Sequence, residues 1–345
     1  KDEKTEQWDY QRVLASAHYV CQRCGGKIAD AHKTKMLRAG VWIPSNPTPL
    51  PGWRSYHLNS IYSVSLTFGR LAVKWLEAKH GDSLSELQNF INSSLAEPWK
   101  DRAISIKEEQ LAPLCGATER GAYDPTDGGF NLCAIDVQRS YLVWVVRRFY
   151  NGNRSHLVDW GMAPWWNDVD EVFAKYACRF CAIDSGYGER TQEVYEQIAR
   201  RSSVWVAVKG QAKMAEFIRP VYIDPFTGQK NAGQQKVCLL HVNDPAWTEE
   251  LLARLDGRVA GWQLTKEIDL IYSKQILAVY KSEKRKRNGK TEVTIRSRGD
   301  EHMFDCEKYL LALASMLRLG RADIIGDKPA SNSQPATETR FDFAA

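Results

Sequence analysis

The stretch from Asn131 to Tyr150 limits the fold of this chain more than any other part of it. Leu132 to Val137 is a short apolar run rich in β-forming residues, and Tyr141 to Tyr150 is a second. Only Gln138-Arg139-Ser140 lies between them, and a connection that short joins antiparallel neighbours. Beyond Asn151-Gly152-Asn153 a third run, Arg154 to Trp160, extends the pattern to a three-stranded meander. The first of these strands carries Asp136 in its middle. A carboxylate is costly to bury unless a cation or hydrogen bonds compensate it. Asp136 is therefore either a structural aspartate satisfying nearby backbone groups or a metal ligand in an active site.

The chain then changes rhythm. Asp168 to Ala177 reads as a helix, Arg179 to Asp184 as a strand, Glu189 to Arg201 as a helix and Val204 to Val208 as a strand. Strands alternating with helices after a meander make a mixed sheet with helical crossovers, which is the topology of the ribonuclease H-like fold. The fold class expected is thus α/β, a ribonuclease H-like mixed sheet flanked by helices and preceded by a helical linker segment. Phe180 to Asp184 repeats the theme of an apolar strand that delivers an aspartate at its C-terminal end, where Ser185-Gly186 opens a turn. Ligands of open α/β sheets gather beyond the carboxyl ends of the strands, so Asp184 stands where chemistry is usual. A strand over Lys236 to Val242, a helix over Ala246 to Leu255 and an apolar strand over Asp269 to Val279 are expected further on. In the final helix Tyr309, Leu310, Leu313, Met316 and Leu317 define the packed face. Asp305, in its first turn, can face the sheet edge.

Upstream of the sheet the pattern is helical. Residues 1–20 are polar, a helical turn covers Lys33 to Arg38, and Pro44 to Pro51 reads as extended chain. Helices are expected over Thr67 to Lys79 and Leu84 to Leu95. Cys21-Gln22-Arg23-Cys24-Gly25 has the form of half a zinc-ribbon knuckle, because two thiolates two residues apart can grip one tetrahedral ion while glycine allows the turn. His18, His32 and Cys115 are conceivable completing ligands, but none has ribbon spacing. Zn²⁺ at Cys21 and Cys24 and a structural pair both stay open. His57 reads as a hydrogen-bonded structural residue, and Cys178 and Cys181 as buried thiols.

Composition sets the outer bounds. A chain of 345 residues, 43% of them hydrophobic, can build one large domain or two ordinary ones. The net charge of +5 is mild. No apolar run reaches the roughly 18 residues that span a bilayer, and no signal-peptide pattern is present, so a soluble intracellular protein with no membrane partner is expected. Eight cysteines with two Cys-x-x-Cys pairs suit reduced thiols or metal ligands better than a disulfide framework. Beginning at Lys1, the chain reads as a fragment or processed piece.

The charge is concentrated at Lys281 to Lys290, which holds six basic residues and one acid and ends in Asn288-Gly289 before the alternating Thr291 to Arg296. This is a hairpin with a basic tip. Lys284, Arg285, Lys286 and Arg287 either form a solvated loop or contact nucleic-acid phosphates. Asn288-Gly289-Lys290-Thr291 is not a phosphate loop, since Lys284 stands where the first glycine of that motif would have to be. Asp136, Asp184 and Asp305 now sit on elements of one sheet and its packing helix. Three converging carboxylates repel one another, and hard divalent cations bound through oxygen resolve the repulsion. Two Mg²⁺ or Mn²⁺ ions about 3.5–4 Å apart can activate water and stabilise both oxygens at a phosphodiester. With a basic hairpin in the same chain, hydrolysis of a nucleic-acid backbone fits.

At this point the sequence resembles a known family. Cys-x-x-Cys-Gly is followed by Lys33 to Trp42, Tyr56-His57-Leu58-Asn59-Ser60-Ile61-Tyr62-Ser63, and Phe90 to Trp99 ending in Glu-Pro-Trp. Then come Ala134-Ile135-Asp136-Val137-Gln138, Ile183-Asp184-Ser185-Gly186-Tyr187, Val208-Lys209-Gly210 and His302-Met303-Phe304-Asp305-Cys306-Glu307. Each motif is modest, but their common order over residues 21–310 resembles the C-terminal nuclease part of lambda-type phage terminase large subunits. Those enzymes cut concatemeric DNA and pump it into the capsid. The resemblance implies that Asp136, Asp184 and Asp305 are the nuclease carboxylates, that His302 is an auxiliary group at the metal site, and that the substrate is double-stranded DNA. It also implies the small terminase subunit and portal as partners, action in the host cytoplasm, and an ATPase motor upstream of Lys1. Cys115 to Phe130 matches the family poorly, so no ligand is carried over from there.

The organisation expected is the end of a motor domain with the half knuckle over 1–45, a helical linker over 46–125, the nuclease domain over 126–320 and a disordered tail over 321–345. Two rivals stay open. Another ribonuclease H-like enzyme, a transposase or junction resolvase, would share the carboxylates but not Tyr56 to Ser63. A catalytically silent DNA-binding scaffold would not depend on Asp136.

Overall fold

A computed structural model of the chain describes residues 8–43, 52, 54–80, 84–99, 103–150, 154–201, 204–230, 236–285 and 291–317. The expected tail 321–345 and the hairpin tip with Lys286 and Arg287 lie outside the described residues. The chain divides into two compact units, Lys1–Lys100 and Asp101–Ala345. No helix among the described residues is long and apolar enough to cross a membrane.

The first unit is helical around one small hairpin. Helix α1 (Tyr10–Ser16) precedes strands β1 (Tyr19–Val20) and β2 (Lys27–Ile28), which pair antiparallel across the Cys21 to Gly26 turn. Next come α2 (Asp30–Arg38), α3 (Phe68–His80) and α4 (Leu84–Asn89), the last continued by a π-helical turn over Phe90–Ser94. Thr67 caps α3, its hydroxyl accepting from the Arg70 amide at 3.1 Å, and the Asp30 carboxylate accepts from the Phe68 backbone amide at 3.0 and 3.1 Å. Lys33 lies between, paired with Asp30 and donating to the carbonyls of Ser63 and Leu66. Leu71, Ala78, Leu84, Leu87 and Phe90 form the buried apolar face. His57 is exposed and hydrogen-bonded to the Leu95 carbonyl at 3.1 Å.

The second unit is built on an eight-stranded sheet. The meander is β3 (Phe130–Val137), β4 (Leu142–Phe149) and β5 (Ser155–Ala163). Helix α5 (Trp166–Lys175) returns the chain to β6 (Phe180–Asp184), and α6 (Thr191–Ala199) returns it to β7 (Trp205–Gln211). Strands β8 (Ile218–Ile223) and β9 (Val237–Asn243) are followed by α7 (Asp244–Leu255), β10 (Trp262–Gln263) and α8 (Leu270–Ile276). A separate hairpin, β11 (Val279–Arg285) and β12 (Thr291–Ser297), leads to α9 (His302–Met316). In the sheet the order is β10-β5-β4-β3-β6-β7-β9-β8. β3, β4 and β5 are antiparallel neighbours, whereas β3, β6, β7 and β9 run parallel. A meander whose first strand pairs with the parallel continuation is the ribonuclease H-like topology expected from the loop lengths.

Two departures from the sequence reading have local causes. Asp269 to Val279, expected as a strand, contains α8: the Asp269 side chain caps it by accepting from the Tyr272 amide at 2.8 Å, and the buried Tyr272 and Ile276 repeat at helical spacing. Strand β8, with Pro220 inside it, is not among the strands expected. Its place at the sheet edge tolerates a residue without an amide proton.

Both faces of the sheet are covered, so its central strands are apolar on both sides. Ala134, Ala182 and Val208 face the layer of α7, α8 and α9, while Ile135, Ile183 and Ala207 face the layer of α5 and α6. Helix α9 is buried almost all round, from Met303 to Ala314, as a helix in the middle of a layer must be. Residues 103–129 lie with this unit: Ile104 bridges Lys281 and Leu111 is buried.

Candidate active site

Asp136 and Asp184 come together because of strand register. β3 and β6 are parallel, and Ile135 is level with Ile183, so the aspartates follow one residue later on adjacent strands. Side chains alternate along a strand. With Ala134 and Ala182 facing the α9 layer, Asp136 and Asp184 point to that same side. Helix α9 begins there and presents His302 and Asp305 in its first turn.

Each carboxylate has a protein partner on one oxygen. Asp136 Oδ2 accepts from Gln138 Nε2 at 2.7 Å and lies 2.7 Å from His302 Nδ1. Asp184 Oδ1 accepts from the Gly186 amide at 3.0 Å and from the Tyr309 hydroxyl at 3.2 Å. Asp305 Oδ1 accepts from Lys308 Nζ at 2.6 Å. The hydrogen bonds of all three fall on one oxygen apiece, which leaves Asp136 Oδ1, Asp184 Oδ2 and Asp305 Oδ2 for another partner.

The electrostatics carry the same sign throughout. Burial, and after it the charge of Asp136, pushes the Asp184 carboxyl up to about 7. Asp305 is pushed up to about 6, by burial first and then by Asp136 and Glu301, against the pull of Lys308. The hydrogen bond to Asp136 raises the His302 imidazole above its ordinary value, although burial opposes it. Buried carboxylates that raise one another's pKa are short of positive charge.

The donor set suits a hard divalent cation: oxygen ligands only, negative in sum, and one oxygen of each without a hydrogen bond among the described residues. Among the described residues no three His, Cys, Asp or Glu side chains have converged into a ready ligand cage. The chemistry of the three side chains nevertheless fits such an ion.

Sequence reasoning missed Lys308, Asp244 and Tyr309. Lys308 Nζ lies 2.6 Å from both Asp305 and Asp244, the first residue of α7. The i, i+3 spacing of Asp305 and Lys308 on a helix was a usable signal. Nothing in the sequence linked Asp244 to the site. The remaining candidates lie elsewhere. Lys284 and Arg285 are at the end of β11, next to the undescribed tip. Cys21 and Cys24 belong to the first unit. There the Cys21 amide donates to the Gly26 carbonyl, Gly25 takes a positive φ, and Cys24 is exposed. No further ligand completes that pair among the described residues. Cys178 and Cys181 are both buried.

The family described as "Terminase large subunit gpA, endonuclease domain" matches residues 53–324. The chain belongs to that family. The matched region contains Asp136, Asp184, His302 and Asp305 and excludes Cys21 and Cys24. Two solved structures are similar to the terminase chain. One is the large terminase nuclease from thermophilic phage G20c with bound magnesium, at 12% identity and TM-score 0.36, covering 62% of this chain and 98% of that one. The other is the nuclease domain of the large terminase subunit gp2 of bacterial virus Sf6, at 11% identity and TM-score 0.34, covering 60% and 97%. No curated protein matches this terminase chain.

Proposed function

We propose that this chain is a metal-dependent endodeoxyribonuclease that cuts concatemeric double-stranded DNA during phage genome packaging. Asp136, Asp184 and Asp305 are the proposed ligands of two Mg²⁺ or Mn²⁺ ions. The single observation that carries the reading is their geometry: three carboxylates from β3, β6 and α9 share one face and direct their protein hydrogen bonds to one oxygen each. Membership of the terminase endonuclease family supports a nuclease over a silent scaffold or a resolvase.

When bound, the ions would supply Lewis-acid polarisation of the phosphate and a water acidic enough to attack it. The chain's own residues do the positioning. His302 and Gln138 hold one oxygen of Asp136 and turn the other outward. Gly186 and Tyr309 do the same for Asp184. His302 acts through Asp136 and is an auxiliary, positioning group. Lys284, Arg285, Lys286 and Arg287 are the proposed DNA-backbone contacts. Cys21 and Cys24 are proposed as half of a zinc site, and the small terminase subunit and the portal as partners in the host cytoplasm.

The test is plasmid nicking and linearisation with Mg²⁺, Mn²⁺ or EDTA, beside Asp136→Asn. Cleavage that needs metal and disappears in a normally folded variant is expected. Equal cutting by both proteins, or binding of DNA without cutting by either, overturns the assignment.

A further inference from the structure

Lys308 is the one cation that the described residues place directly on a proposed metal ligand by hydrogen bond from a lysine. Its side chain is only 6% exposed, and its ammonium bridges Asp305 Oδ1 on α9 and Asp244 Oδ1 on α7, at 2.6 Å each. The two carboxylates about the ammonium offset the cost of its burial. The arrangement is also made room for: a Cβ at Gly210 on β7 would stand 3.1 Å from Asp244 Oδ1, so that strand stays clear of the carboxylate by carrying glycine.

The two carboxylates differ in their other obligations. Asp305 is shared with the proposed metal set, facing Asp136 and Asp184. Among the described residues the Asp244 carboxylate has Lys308 as its one hydrogen-bond partner. A divalent ion that engages Asp305 must approach an oxygen of the same carboxyl group that already holds an ammonium, and the two positive charges repel at short range. We propose that Lys308 is a tethered competitor for the divalent cation at Asp305, and that Asp244 is the resting carboxylate that retains Lys308 when the ion displaces it. The site then takes an ion readily between Asp136 and Asp184. It takes the ion at Asp305 only at higher metal concentration, because that step must break an existing ion pair. This rests on the reading of the three aspartates as metal ligands, and Lys308 acts in it through Asp305 without touching substrate.

The opposite role, an ammonium that merely holds Asp305 ready, predicts the opposite sign, which makes the proposal easy to lose. The experiment is calorimetric Mn²⁺ titration of the full chain, with thermal melts of every variant to check folding. Lys308→Met and Lys308→Gln should tighten the weaker Mn²⁺ site by about tenfold or more, since even ~1.4 kcal/mol of removed repulsion is that factor. Asp244→Asn should weaken the same site, because Lys308 then has only Asp305 to hold. Gln keeps a donor without the charge, so a positioning role would be rescued by it and a competing role abolished. Unchanged or weaker Mn²⁺ binding in a folded Lys308 variant overturns the proposal. So does unchanged or tighter binding in Asp244→Asn. If the wild-type chain shows no Mn²⁺ binding that Asp136→Asn removes, the underlying site reading is what fails, and the competitor role falls with it.

Discussion

Arg147 on β4 and Glu307 on α9 form a two-pronged ion pair with both side chains fully removed from solvent: Nε donates to Oε2 at 2.7 Å and Nη2 to Oε1 at 2.9 Å. The Tyr272 hydroxyl adds a bond to Oε1, the Gln263 carbonyl accepts from Nη1, and the guanidinium lies over the Trp262 ring. This pair pins the helix that carries His302 and Asp305 to the sheet that carries Asp136. Breaking it from one side leaves a charge buried without its partner. Arg147→Met should therefore cost ~3–5 kcal/mol in denaturant unfolding, whereas Arg147→Met with Glu307→Leu should cost much less. Equal losses in the single and double variants would remove the pinning argument.

The site should make metal-free stability depend on pH in a definite direction. Asp184 and Asp305 rise from the usual 3.8 to about 7 and about 6 on folding, so in that interval the folded state binds more protons than the unfolded one. Their contribution to stability is complete below about pH 4 and is lost as pH climbs through about 6 to about 7. Thermal melts in EDTA should find Asp184→Asn gaining on the wild type between about pH 5 and about pH 8. A difference that stays flat across this range counts against the raised carboxyl.

In the first unit, Gly69 permits α1 and α3 to touch. A Cβ there would stand 2.4 Å from the Leu14 carbonyl oxygen, a backbone atom that cannot swing away. In an exposed helix Gly→Ala stabilises by roughly 0.5–1 kcal/mol. Here overpacking should reverse the sign and cost ~1–3 kcal/mol. Amide exchange in Tyr10–Ser16 and Phe68–His80 reads the effect locally, and unchanged protection would contradict the contact.

The hairpin makes a separate prediction about salt. Its strands pair from Val279 with Ser297 to Arg285 with Thr291. Neutralising Lys284, Arg285, Lys286 and Arg287 together should weaken DNA binding and flatten the log–log salt dependence by up to ~0.9 per lost phosphate contact. Binding and slope both unchanged would return the loop to a solvated role. Metal-dependent cleavage of already bound DNA should survive, since the carboxylates are untouched.

Much of this protein is written locally. The three-residue breaks after Val137 and Tyr150 allow only antiparallel neighbours, and the alternation of apolar runs with helical spacing supplies the crossovers to β6 and β7. An aspartate in each of two apolar strands stood out for the same reason: a charge within an apolar run needs an explanation. Where local cues conflicted, the reading slipped. Ile271, Tyr272, Ile276 and Leu277 suited a strand until the Asp269 cap was seen to start a helix, and Pro220 masked an edge strand.

What only the tertiary structure decided is which distant groups meet. Asp244 and Lys308 come together because α7 and α9 share one face of the sheet, and Arg147 finds Glu307 because β4 lies beneath α9. Pairings of this kind carry no periodicity and no spacing, since they depend on how layers close over one another. The sequence determined by itself that Asp136, Asp184 and Asp305 would sit on one sheet and its packing helix. The closing of the layers decided that Lys308 is held between Asp305 and Asp244.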